Sequence, residues 1–159
     1  MTSRPSLRAS CSTDVTVYVY DVTKGLCSVV SPLLFGARIT SIYHTSVVVH
    51  NQEYFFSSKG IVKCDPGSSI LESPDTVINY GKYRISRLSV ADWVANARIS
   101  SFTPDKYSLL DYNCVTFTDT FLYFLIRASL PDKIKYQVNS ISATPLGSIW
   151  IKFLQSKDW

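Results

Sequence analysis

Cys114 and His44 are the side chains of this chain whose type and placement best suit nucleophilic chemistry. Cys114 follows Asn113 at the head of an aromatic-rich stretch. Asparagine is a good N-cap, so the thiol falls in the first turn of a helix, where unpaired N–H groups and the positive dipole end favour an anion. A thiol in such a place gives up its proton more readily. The other reading of Cys114 is a buried cysteine packing as a small hydrophobe. A cysteine nucleophile also needs an imidazole to take its proton and return it to the leaving group. The chain has two histidines. His50 sits at an expected hairpin turn, where exposure is the expected fate. His44 lies in mid-strand, sharing a face with Ile42, Ser46 and Val48. It is a satisfied polar group at a sheet margin unless that face meets the start of the Cys114 helix.

These residues need elements to carry them. Val15–Tyr20 is a β-branched and aromatic run and predicts a strand. A short helix is expected at 29–35, with Pro32 in its first turn and Gly36 closing it. Ile42–Val49 predicts a second strand, Asn51-Gln52 a polar connection, and Glu53–Phe56 the return of a β-hairpin. Further strands are expected at 61–64 and at 76–86, one or two of them around Gly81. Ser89 is placed to cap a helix through about Arg98, with Asp92 three residues on. From Cys114 to Arg127 the apolar positions Cys114, Phe117, Phe121, Phe124 and Leu125 follow a helical stripe, which Pro131 should stop. Two further helical segments are expected near 133–142 and 146–155. Strands come mostly first and helices mostly later, the pattern of a single α+β domain.

Composition agrees and excludes several classes. With 159 residues, 46% of them hydrophobic, the chain is long and apolar enough to bury one core without metals or disulfides. The net charge of +4 is spread without a basic run, so no nucleic-acid partner is expected. No stretch approaches the roughly 20 apolar residues of a membrane span. Residues 1–13 lack the apolar core of a secretory signal and read as a disordered tail. Cys11, Cys27, Cys64 and Cys114 contain no C-x-x-C pair, so no zinc cage of the usual spacing is expected. An apolar domain of this size without a signal segment reads as intracellular, cytoplasmic or nuclear, where thiols stay reduced. Cys27 and Cys64 read as structural.

Five motifs, in order, carry a resemblance. Ile42-Tyr43-His44-Thr45-Ser46-Val47-Val48-Val49, followed by Glu53-Tyr54-Phe55-Phe56 and Gly60-Ile61, resembles the histidine motif of the PPPDE family of permuted papain-fold peptidases. Tyr112-Asn113-Cys114-Val115-Thr116-Phe117 resembles that family's cysteine motif. Val17–Asp21 with Lys24-Gly25-Leu26, Cys64-Asp65-Pro66-Gly67, and Thr144-Pro145-Leu146-Gly147 are similar to its other motifs. The similarity runs over nearly the whole chain, which sets the expected domain at 14–155. It implies a permuted papain-like fold, an antiparallel sheet or small barrel packed against helices. It also implies a Cys-His hydrolase of amide or isopeptide bonds to ubiquitin-like modifiers, with Cys114 as nucleophile, His44 as base and acid, and no cofactor or metal. Asn113 would orient the histidine or meet the oxyanion, or serve only as a cap. Tyr43, Tyr112, Val115, Lys59 and Gly60 would line the substrate groove. The chain departs from the family where Tyr112 and Val115 replace polar residues beside the nucleophile. It departs again where Ser57-Ser58-Lys59-Gly60 replaces a glycine-rich stretch, and Tyr43 stands where relatives often have tryptophan.

The same thiol and imidazole serve two reactions, isopeptide hydrolysis and removal of acyl chains from protein cysteines as thioesters. A deep apolar channel beside Cys114 is expected for the second, a shallow open groove for the first. A catalytically silent module that binds a modifier is the third alternative. The Tyr- and Phe-rich composition also permits a homodimer face.

Overall fold

The computed structural model describes residues 10–24, 42–69 and 71–137. The expected helix at 29–35 and the segments beyond 137 lie outside them. The β-branched run of Val15–Tyr20 forms the heart of β1 (Ser10–Asp21). That strand starts earlier than expected: Ser10, Cys11, Ser12 and Thr13, assigned to the tail, pair with Ser86, Ile85, Arg84 and Tyr83. A long partner strand supplies ladder bonds that four small polar residues do not advertise in sequence.

Five strands form one antiparallel sheet in the order β4-β3-β2-β1-β5. β2 (Tyr43–Val49) and β3 (Gln52–Ser57) make the expected hairpin. Its turn is His50-Asn51 rather than Asn51-Gln52, both at positive φ (53° and 59°), as a two-residue turn matching strand twist requires. β4 (Gly60–Cys64) follows, and β5 (Thr76–Ser86) is one strand with a bulge. Val15 pairs Gly81 while Thr16 pairs Asn79, so Tyr80 is the extra residue, and Gly81 takes the φ of 104° beside it.

Helix α1 (Arg87–Ser100) begins two residues before the cap assigned by sequence. Ser86 caps it, its hydroxyl accepting from the Ser89 N–H, so Ser89 is a capped residue and not the cap. A 3₁₀ turn (Pro104–Lys106) and a loop lead to α2 (Cys114–Ile126). α2 ends with Arg127 in the left-handed region, φ 56°, so the chain leaves the helix before Pro131 acts on it. A short α3 (Asp132–Lys135) follows. The α+β class read from the sequence is the class observed, an antiparallel sheet with helices against it.

Alternation along the strands decides what lies on each face. Val15, Val17 and Val19 of β1, with Val47 and Val49 of β2, turn to the helices and are buried. Phe117 and Phe121 of α2 meet them, and Trp93 of α1 stacks on Phe121 at 4.7 Å between ring centroids. Each such aromatic buries a large apolar area, roughly 2–3 kcal/mol of transfer energy. The opposite face carries Tyr20, His44, Ser46, Glu53 and Phe55, beside the loop that follows β4.

Candidate active site

β2 pairs β1 over seven positions but pairs β3 over three, Val47–Val49 against Gln52–Tyr54. Beyond Val47 the two strands separate, and the exposed edge of β2 must find other partners for its backbone. At Tyr43 the partner is the buried side chain of Gln137. Its Oε1 accepts from the Tyr43 N–H at 2.6 Å, and its Nε2 donates to the Tyr43 carbonyl at 2.9 Å. At Thr45 the partner is Cys114, whose sulfur lies against the Thr45 N–H and hydroxyl. The start of α2 is thus wedged into the gap between the strands.

That wedge puts Cys114 and His44 on one pocket. Its volume is about 70 Å³ and its walls are almost wholly apolar, with Val22, Ile42, Phe55, Leu71 and Leu109 around the two polar groups. Cys114 is buried (5% exposed), and burial pushes its thiol up to about 11. The N–H groups of Thr45, Cys114 and Val115 pull the other way without overcoming it. The His44 ring sits edge-on to Phe55 at 5.1 Å and tilted to Tyr20 at 5.9 Å. Burial lowers its pKa to about 4. At neutral pH the resting forms are therefore a neutral thiol and a neutral imidazole.

Asn113 caps α2 with its whole side chain. Oδ1 accepts from Val115 N–H at 2.9 Å and Thr116 N–H at 3.2 Å, and Nδ2 donates to the Leu109 carbonyl at 2.7 Å. The Thr116 hydroxyl completes a capping box by accepting from the Asn113 N–H. The amide is thereby engaged with the cap and the preceding loop. Of the groove residues, Tyr43 lines the Cys114 pocket. Val115 is buried and borders a separate polar groove with Asp119, Thr120 and Lys135. Tyr112 stacks on Phe102 at 5.0 Å in the aromatic core. Lys59 is exposed and Gly60 buried in the β3–β4 turn, where the Lys59 N–H donates to the hydroxyl of Ser57, itself a pocket residue.

His50 is not exposed as its turn position led us to expect. It is buried (7% exposed) behind Arg87 and Thr13, whose hydroxyl accepts from the His50 N–H at 2.9 Å. The reason is the length of β1: its first residues cover the hairpin tip. Burial, then the nearby Arg87 charge, lowers the His50 pKa.

Three residues of the site escaped sequence reasoning. Thr45 and Gln137 act through backbone edges that no residue pattern marks. Glu53 had a signal, a lone acid inside the apolar run Glu53-Tyr54-Phe55-Phe56, and it is fully buried.

The PPPDE peptidase domain matches residues 13–155. The chain belongs to the PPPDE peptidase family. It is 35% identical to desumoylating isopeptidase 1 of Rattus norvegicus over 142 residues, 89% of this chain and 84% of that protein. Its identity to desumoylating isopeptidase 1 of Homo sapiens is 34%, and to that of Xenopus laevis 32%, over the same shares. In this PPPDE peptidase domain His44 lies on β2 and Cys114 at the head of α2. Cys64 and Cys114 carry free thiols. Among the described residues no helix is long and apolar enough to cross a membrane.

Proposed function

We propose that the chain is a cysteine isopeptidase that releases SUMO, or a closely related ubiquitin-like modifier, from lysine side chains through Cys114 and His44. The observation that carries the reading is the shared pocket: the only cysteine at a described helix start and the histidine of β2 line it together. The names of the relatives support the substrate class. Because both groups rest neutral, the proton leaves the thiol as the sulfur attacks the scissile carbonyl, and His44 receives it. The C–S bond forms, the carbonyl oxygen becomes an oxyanion, and the N–H groups of Cys114 and Thr45 that face the sulfur are nearest to it. Collapse breaks the C–N bond, and His44 returns the proton to the departing lysine amine. Water then attacks the thioester and gives a proton to His44; the C–S bond breaks, the carboxyl product leaves, and His44 returns the proton to the Cys114 sulfur.

A second reading has one observation in its favour. The walls around Cys114 are apolar, which suits an acyl chain, so hydrolysis of S-acyl thioesters by the same pair is the alternative. Incubation with an isopeptide-linked SUMO conjugate, a ubiquitin conjugate and a fluorogenic acyl thioester separates the cases. Release of SUMO that is lost in Cys114→Ala supports the first reading. Turnover of the thioester alone moves the assignment to the second. Turnover of none by the folded protein overturns both.

A further inference from the structure

Glu53 is a carboxylate with no contact to the pocket, yet it is fully buried and accepts hydrogen bonds from three directions. Its Oε1 accepts from the Tyr20 hydroxyl of β1 at 2.7 Å and from the Ser46 hydroxyl of β2 at 2.7 Å. Its Oε2 accepts from the Gly67 N–H at 2.8 Å, at the start of the loop that carries Ser69 and Leu71 to the pocket. A buried carboxylate persists only where donors surround it, and here all three contacts are donors. Each arm leads back toward His44. Tyr20 lends the ring beside the imidazole, Ser46 is two residues along on the same strand face, and the loop supplies an apolar pocket wall.

We propose that Glu53 is the positioning residue of the site: it pins Tyr20, β2 and the loop after β4 together so that His44 is held on the pocket it shares with Cys114. The proposal deepens the hydrolase reading above and rests on it for the role of His44. Among the described residues, the groups against the imidazole are aromatic rings. Tyr20 and Phe55 flank it, and Tyr20 is fixed by Glu53. Among the described residues, the titratable groups facing His44 are Tyr20 from β1 and, on the shared pocket, Tyr43 from β2 and Cys114 from α2.

The test uses Glu53→Gln in the full chain. An amide offers an acceptor on one side only, so either Gly67 or the two hydroxyls face an N–H₂ group. With two histidines in the chain, the ring Cε1–H resonances are separable by NMR, and His44→Asn assigns them. In the wild type His44 should titrate near 4. In Glu53→Gln its midpoint should move up by one unit or more as the loop loosens and the half-buried ring is more fully solvated, while the His50 midpoint stays. In parallel kcat on the substrate the wild type turns over should fall roughly tenfold to a hundredfold with KM within about threefold. Should Glu53→Gln fail to fold, Tyr20→Phe and Ser46→Ala each remove one arm and should each move the His44 midpoint upward. An unchanged His44 titration in folded variants overturns the proposal, since loss of global stability alone leaves the native midpoint where it was. A shifted midpoint together with full activity in His44→Asn would keep the positioning role and overturn the catalytic one.

Discussion

Two histidines six residues apart on one hairpin have met different fates. His50 is buried and His44 half-buried at the pocket, and desolvation lowers the pKa of each. At His44 the strand edge has opened, and the gap is filled by the head of α2 with its thiol. At His50 the neighbours are Arg87 and the hydroxyl of Thr13, and the ring is part of a covered turn. Desolvation therefore does not make a site by itself. What separates the two is an interrupted ladder, which exposes backbone N–H groups and a slot wide enough for a nucleophile.

The sharpest break of this comparison is substitution of each imidazole in turn. His44→Ala should lower kcat by about a hundredfold or more, the scale of a lost general acid and base. His50→Ala should leave kcat within about threefold, both read on a SUMO-conjugate cleavage assay. Equal losses would remove the distinction. The next effect lies in the pH profile. With the thiol near 11 and the imidazole near 4, the active form is the neutral pair, so kcat/KM should be flat through the neutral range. It should fall about tenfold per pH unit below 4 and above 11. A narrow bell with limbs near 6 and 8.5 would mean that the two groups rest as an ion pair.

The smallest effect is on stability, where the two histidines should behave alike. Both folded-state values lie below the ordinary 6.5, so as pH falls the unfolded chain takes up protons first. Stability is thus fully present above about 6.5, declines as pH falls, and for His44 levels off below about 4. Urea unfolding at pH 7.5 and 4.5 should show His44 contributing roughly 1–3 kcal/mol to that decline. The acid loss should shrink in His44→Gln and, separately, in His50→Gln.

Much of this was legible beforehand. Periodicity marked α2, and the Asn113 N-cap placed Cys114 in its first turn, because capping and amphipathicity are local properties of the chain. The β-branched runs marked β1 and β2 for the same reason. What escaped is non-local. The Ser10–Thr13 extension of β1 depends on β5, and the burial of His50 depends on that extension. The splay of β2 from β3, and Gln137 filling the edge at Tyr43, join residues 94 positions apart. Tyr112, assigned to the groove from the cysteine motif, also stacks on Phe102, since an aromatic beside a helix start serves a core as readily as a surface.

The most direct measurement is labelling of the folded protein with a SUMO vinyl-sulfone or aldehyde probe, read by mass spectrometry of the peptide that gains mass. The account predicts one adduct, on Cys114, lost in Cys114→Ala, slowed strongly in His44→Ala and unchanged in His50→Ala. An adduct on Cys11, Cys27 or Cys64, or labelling of Cys114 at equal rates in the wild type and His44→Ala, would contradict it.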